Sequence, residues 1–452
     1  MKRIVWRWLA VSSILLVLGA QAETRPQYGG TLHVEMRASL ASLDPADASA
    51  DSFGRRGVIS LLYDTLVRWD EFGHFQPALA ESWKSSRGDQ TWQIQLRQGV
   101  KFQDGILLTG EIAAASLRAA NPTWTVSADG NAIFIQLQAG DPELLAELAL
   151  PRNAIAKRDK DLVGTGPFAV SDWQPGKKLT LRANEECWRG RPFLDGVEVE
   201  MGRSFREQAT AFDLRKAELI EVAPEQTHRL LQESRQLTVT ARVELLALVF
   251  RRDASTAEEK LLRQALALAV EREPIRSVLF QGAGDPTAGV LPTWISGYSF
   301  VFSGDADLAK ARQLRAQVRA NPAWTIGYDS TDSLTRLVAE RVALNGRDAG
   351  LSLRPTSAND TDLSVVRIPI ASSNPWVAFG EVIKQAGLTP GKVTGESLED
   401  LYTLEQTTLA TERMIPLFHL PASYVAAALK DWKVRMDGSW NLDAAWLEAP
   451  TP

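Results

Sequence analysis

Residues 323–353 read as a strand, a helix and a second strand, an order that leaves few folds open. Residues 323–328 (AWTIGY) suit a strand, and residues 334–348 carry helical spacing. Gly350 stands where a helix C-cap belongs, and residues 351–353 return as a strand. Two strands joined through a helix pair in parallel with a right-handed crossover, which places the chain in the α/β class.

The flanking sequence supplies more strands and helices. Residues 31–36 (TLHVEM) alternate as a strand after Gly29-Gly30. A Leu43-Asp44-Pro45 loop then leads into a helix whose apolar face includes Phe53, Val58, Leu61, Leu62 and Leu66. A hairpin turn is expected at Glu71-Phe72-Gly73. In residues 92–112 (WQIQLRQGVKFQDGILLTGEI), Trp92, Ile94 and Leu96 alternate with Gln93, Gln95 and Arg97, the period of a half-buried strand. Val100 and Phe102 repeat it after Gly99, Asp104-Gly105 supplies a turn, and Thr109 is placed to cap a helix that stops near Asn121-Pro122. A hairpin follows at 124–137 with Asp129-Gly130 at its tip. Residues 242–250 read as a buried strand. Residues 258–270 read as an amphipathic helix with Leu261, Leu262, Ala265, Leu268 and Ala269 on one side.

The chain opens with an export leader. Lys2, Arg3 and Arg7 precede an apolar run at residues 9–18, and Ala20-Gln21-Ala22 is an A-x-A cleavage signal, so the mature chain is expected to begin at Glu23. A retained signal anchor is the alternative, but the run falls short of the ~20 apolar residues of a membrane span. No cysteine stands at the end of the run, so no lipid attachment is expected. Losing three cations moves the formal charge from −5 to −8. Without a basic stripe, that charge argues against a nucleic-acid partner. About 430 residues remain, enough for two or three domains. Cys187 is the one cysteine, so an internal disulfide is impossible and packing must hold the core. Twelve of the 14 tryptophans follow the leader; most should pack the core, with a minority left to wall a cleft.

The usual signatures of catalysis are missing. There is no H-E-x-x-H, and His33, His74, His228 and His419 lie far apart in sequence. There is no G-x-S-x-G elbow. Cys187 follows Glu185-Glu186, and adjacent carboxylates should raise a thiol pKa, leaving it inert. Glu258-Glu259 is expected on a solvated helix face, and Val163-Gly164-Thr165-Gly166-Pro167 lacks the GK[ST] of a phosphate loop. Neither an enzyme nor a cofactor is expected.

Several blocks do form a pattern. They are Tyr28-Gly29-Gly30-Thr31-Leu32, Leu43-Asp44-Pro45, Pro77-Ala78-Leu79-Ala80-Glu81-Ser82-Trp83, and Leu96-Arg97-Gln98-Gly99-Val100-Lys101-Phe102-Gln103-Asp104-Gly105 with Leu108-Thr109-Gly110-Glu111. VGTGPF at 163–168, Asn184 to Trp188, RQALALAVEREPI at 263–275, IPLFH at 415–419 and Trp446-Leu447 follow in order. Together they resemble the extracellular solute-binding proteins of family 5, the dipeptide-, oligopeptide- and nickel-binding group of bacterial ABC importers. The resemblance implies a two-lobed α/β periplasmic binding protein (type II, cluster C-like) with a reduced accessory subdomain, since the stretch between Leu117 and Val163 looks trimmed. It further implies a signal peptide at 1–22 and a first lobe of 23–250 plus 412–452, with the accessory subdomain at about 61–163. The second lobe would be 251–411, with hinge crossings near Val249-Phe250 and Arg413-Met414.

In peptide-binding relatives a late "DPxxF"-like segment carries an Asp that pairs with the peptide ammonium. The matching stretch here is Ser372-Ser373-Asn374-Pro375-Trp376, and an amide cannot supply that charge-assisted bond. Asn374 and Trp376 are the first candidates for ligand contact, with Ser372 and Ser373 beside them and Trp294 after them. No metal site is expected. The expected partners are a peptide or other small-molecule ligand and an ABC permease in the inner membrane, with the protein itself a periplasmic monomer. A ligand sensor and a degenerate scaffold of the same fold are the alternatives.

Overall fold

The computed structural model of the chain describes residues 25–47, 51–70, 73–232, 237–298, 302–391, 393 and 395–448, with backbone alone at 228, 231, 232, 241 and 242. The expected leader and the turn residues Glu71 and Phe72 lie outside the described residues. Among the described residues, no helix is long and apolar enough to cross a membrane.

One sheet runs through the whole molecule. At one end Thr31–Glu35 pairs in parallel with Gly196–Glu200 and Leu219–Val222. At the other, Ala323–Gly327 pairs in parallel with Ser352–Thr356 and Leu363–Pro369, the crossover unit legible in the sequence. Between them lie two long antiparallel strands, Leu237–Phe250 and Met414–Ala426. Residues 423–426 of the second also pair with Leu219–Val222, and residues 244–250 of the first with Leu363–Pro369.

Core membership changes along these two strands. Val243, Ala422, Tyr424 and Ala426 pack with Leu32, Val34 and Leu219. Leu246, Leu248, Phe250, Ile415 and Leu417 pack instead with Leu262, Leu266 and Val338. The pairing is irregular where the change occurs, with register shifts between Val239 and Glu244. The expected crossings, Val249-Phe250 and Arg413-Met414, lie at the far end of the strand pair, where Val249 faces Met414.

A third core surrounds the small sheet built from Ala80–Ser86, Thr91–Leu96, Ala132–Gln136 and Thr125–Asp129. Trp92, Ile94 and Leu96 are buried and their alternates are half-buried. Val100 and Phe102 are buried but do not continue the strand. Gly99 turns the chain at φ 75, and the Phe102 N–H donates to the Ile106 carbonyl at 2.8 Å, closing a tight loop. Thr109 caps the Gly110–Ala120 helix, its hydroxyl accepting from the Ile112 N–H at 3.4 Å. The helix at Phe53–Leu62 ends before Leu66, which packs in this third core.

Three further sequence expectations need correction. The Ala257–Ala269 helix buries Leu262, Ala265, Leu266 and Ala269, while Leu261 and Leu268 are only partly covered. The face is rotated because Arg263 is drawn inside, where its guanidinium lies 4.1 Å from the Phe250 ring centre and 2.6 Å from Glu259. Glu259 is therefore a structural partner and not a solvated bystander. Burial opposes its charge, but the Ser255 hydroxyl, the Ser255 N–H and Arg263 hold it down at about 2. The Cys187 thiol is indeed pushed up, but by burial first, with Asp64 and Asp443 adding to it rather than Glu185-Glu186.

The Phe53–Leu62 helix packs so closely on the Trp440 indole that a methyl group at Gly57 would overlap the ring. An exposed helical Gly→Ala change gains ~1 kcal/mol. Here the overlap should reverse the sign, and Gly57→Ala should lower unfolding free energy by about 1–3 kcal/mol in urea titrations. A variant as stable as wild type would contradict this packing.

Candidate functional site

The site forms where loops from both ends of the sheet meet. Arg37 follows the Thr31–Glu35 strand, and its backbone N–H donates to Glu221 at 2.6 Å. Its guanidinium lies 4.7 Å from the Phe205 ring centre and reaches Asp332 on the far side at 2.8 Å. Asp332 caps the Ser333–Asp348 helix by accepting the Leu334 N–H at 3.0 Å, and it has no solvent exposure. Its other oxygen takes both Arg37 and Arg367, each at 2.8 Å. Arg367 in turn donates to Glu244 through Nε at 2.9 Å and Nη2 at 2.6 Å.

Glu221, Arg37, Asp332, Arg367 and Glu244 thus form a ladder of alternating charge across the cleft. Burial by itself raises the Asp332 carboxyl, but Arg367 and Arg37 outweigh it and hold the group below the usual aspartate value. The ladder borders a cavity of about 550 Å³ that also meets Asp51, Phe53, Phe205, Asp329 and Tyr424. That volume is in the range of small-molecule sites.

A smaller hollow of about 210 Å³ adjoins it, lined by Arg55, Arg56, Arg152, Glu381 and Lys384 among others. Asp51 touches both spaces and is held by Arg56, which also donates to the Asp437 carbonyl at 2.9 Å and the Pro369 carbonyl at 3.3 Å. Arg152 joins Glu147 to Glu381, tying the accessory core to the Pro375–Gln385 helix.

Ser372, Ser373, Asn374 and Trp376 come together at the start of that helix. Asn374 is its N-cap, accepting the N–H groups of Trp376 at 3.0 Å and Val377 at 3.1 Å, and its amide donates to the Glu143 carboxylate. Burial pushes Glu143 upward, with Asp141 and Glu396 adding to it. Ser372 accepts the Asn374 N–H at 3.0 Å, whereas the Ser373 hydroxyl is buried without a hydrogen-bond partner. Trp376 packs half-buried against the core that contains Val382 and Phe379. None of the four lines the 550 Å³ cavity. Trp294, 41% exposed, lines a separate hollow of about 730 Å³ with Thr293 and His419.

Among the described residues, no group of three or more His, Cys, Asp and Glu side chains is arranged to hold a metal ion. His419 is buried with Nε2 2.9 Å from the Val290 carbonyl oxygen, and burial pushes its imidazole down to about 4. His33 lies beside Glu218 and His74 beside Asp70, while the His228 side chain lies outside the described residues.

Sequence reasoning missed Arg37, Glu221, Glu244, Asp332 and Arg367. A signal for most of them was available. In open α/β sheets, ligands sit beyond the carboxyl ends of the strands. Arg37 and residues 329–332 lie just past the ends of Thr31–Glu35 and Ala323–Gly327, with one residue intervening in each case, Glu221 lies near the end of Leu219–Val222, and Arg367 near that of Leu363–Pro369.

Residues 74–367 match the profile of bacterial extracellular solute-binding proteins, family 5, middle region. The nickel-binding protein NikA of Staphylococcus aureus is 27% identical over 434 residues, covering 84% of this chain and 88% of that one. The glutathione-binding protein GsiB of Salmonella typhi is 26% identical over 308 residues, 62% of this chain and 60% of its own length. Among solved structures, NikA from S. aureus in complex with Ni(L-His)2 superposes with a TM-score of 0.82 at 18% identity, covering 92% of this chain and 100% of that one. AppA from Bacillus subtilis in complex with a nonapeptide gives 0.80 at 17% identity, covering 94% and 100%. At such identities the likeness is one of fold, the two-lobed α/β architecture.

The lowered Asp332 value has a sign that can be tested. A carboxylate depressed in the folded state stabilises fully above its unfolded value of about 4 and loses that contribution as pH falls through the lower folded value. Asp332→Asn leaves two guanidinia short of a partner, so it should cost about 3 kcal/mol at pH 7. Urea titrations at descending pH should then show the gap to wild type narrowing below pH ~4. A gap that stays constant to pH ~2 would place the stabilising charge elsewhere.

Proposed function

The chain belongs to the bacterial extracellular solute-binding proteins of family 5, and on that premise we propose that it captures a peptide or other small polar solute in the 550 Å³ cavity and hands it to an ABC permease in the inner membrane. The observation that carries this is the cavity's double wall: Arg37, Phe205 and Glu221 come from one end of the sheet, Asp332 and Arg367 from the other. A solute there touches both lobes at once, which is what makes binding favour the closed form.

In this reading the protein works in the periplasm as a monomer, after cleavage behind Ala22. The lobes divide where the core memberships change, between Val243 and Leu245 on one strand and between Leu420 and Ala422 on the other. The hinge therefore lies nearer the middle of the strand pair than Val249-Phe250 and Arg413-Met414. Support comes from the irregular pairing there and from Thr240, whose hydroxyl replaces a ladder partner by accepting the Ala422 N–H at 2.9 Å. Residues 66–155 form the accessory subdomain. Ser372, Ser373, Asn374 and Trp376 stay proposed ligand contacts although they line none of the described cavities, and the buried Ser373 hydroxyl is the one among them without a hydrogen-bond partner. Trp294 stays a candidate only for its own hollow.

A second reading has a specific observation behind it. Arg37–Asp332, Arg152–Glu381 and Asn374–Glu143 already bridge the cleft through the protein's own side chains, as a scaffold with permanently closed lobes would do. Thermal unfolding of residues 23–452 against di- and tripeptides, amino acids, sugars, polyamines and metal chelates separates the two. A solute that binds only the native state adds about 2.7 kcal/mol at a hundredfold excess over its Kd. Transport predicts a shift with one class of compound; no shift from any class, with unfolding still cooperative, would support the scaffold.

A further inference from the structure

We propose that the cavity selects a net-positive solute, an organic cation bearing an ammonium or guanidinium group, and that Arg37 is the resident cation which this solute displaces from Asp332. This rests on the solute-binding reading of the same cavity. The charged side chains lining it are Asp51, Glu221, Glu244, Asp329 and Asp332 against Arg37 and Arg367. Arg56 neutralises Asp51 from behind, which still leaves four carboxylates facing two guanidinia.

The two guanidinia are not equivalent. Arg367 has Nε and Nη2 on Glu244 and Nη1 on Asp332, so its donor edges are committed to carboxylates within its own lobe and the bridging strand. Arg37 holds Asp332 through Nη1 alone. Its buried Nε has no hydrogen-bond partner and lies 3.8 Å from Glu221, whose Oε2 already receives the Arg37 backbone N–H. A small swing seats Arg37 fully on Glu221 and vacates one site on Asp332.

Once Arg37 leaves, buried Asp332 keeps only Arg367, which Glu244 shares, and a buried carboxylate short of countercharge is costlier than a fully paired one. A solute cation supplies the replacement; a neutral or anionic solute does not. The Phe205 ring, which now carries the Arg37 guanidinium, offers the incoming cation an aromatic face. The other polar side chains on the wall, Ser39, Ser52, Thr331, Thr335, Ser423 and Tyr424, carry neutral hydroxyls and add no preference for an anion.

The test is calorimetric binding of size-matched probes to the mature protein: lysyl-lysine, seryl-alanine, glutamyl-glutamate, spermidine and citrate. The proposal expects lysyl-lysine or spermidine to bind at least tenfold tighter than seryl-alanine, with no binding by glutamyl-glutamate or citrate. Arg37→Gln removes the competitor and should tighten cation binding at least threefold. Asp332→Asn should weaken it at least tenfold; if that variant does not fold, Arg37→Gln still decides. Tighter binding of an anionic or uncharged probe overturns the cation preference and leaves solute binding standing. Weaker cation binding in Arg37→Gln overturns the displacement, since Arg37 would then be holding the solute. No binding by any probe, of any charge, removes both this inference and the cavity's role.

Discussion

Everything in this molecule hangs on one pair of antiparallel strands, Leu237–Phe250 and Met414–Ala426. Their backbone hydrogen bonds carry a single sheet through two separately packed cores, so neither lobe has an open edge at the junction. Pairing that joins residues so distant in sequence is costly in loop entropy and slow to form, but in the proposed mechanism it serves as a hinge made of main chain. The irregular stretch around residues 239–244 is where such a strand pair bends with least loss, because ladder bonds are already missing or replaced there.

A hinge there would explain why charge matters at the cleft. Hydrophobic cores lie on either side of it, each complete in itself. What faces across the gap is partly polar, Arg37 with Asp332, Arg152 with Glu381 and Asn374 with Glu143, beside one apolar patch where Ala146 and Leu150 meet Ala371 and Val377. Buried ion pairs add little net stability but penalise any arrangement that leaves one member alone. They therefore act as selectors of state. In the proposed mechanism, closure is allowed when every charge has a partner, supplied by the protein or by the solute.

The elements set by neighbours in sequence were legible. Thr109 capping its helix, the 124–137 hairpin and the 323–353 crossover unit all follow from local chemistry, and each is found in the fold, with the hairpin turning one residue later than expected, at Gly130-Asn131. The extent of the Met414–Ala426 strand was not, since it carries Pro416 and Pro421 in its interior and reads as something shorter. The charge ladder was illegible for a related reason. Arg37 and Asp332 are 295 residues apart, and nothing local marks either one as a partner of the other. The Ser372–Trp376 stretch (residues 372–376) was marked by resemblance, and the fold brings those residues together at the start of one helix but not on the wall of the 550 Å³ cavity.

The most direct test of the account is a crystal structure of the mature protein grown with a solute that stabilises it. The account predicts that solute enclosed in the 550 Å³ cavity, in contact with residues from both ends of the sheet, Phe205 and Asp332 among them. Density for the solute in the Trp294 hollow, or on a surface belonging to one lobe alone, would contradict it.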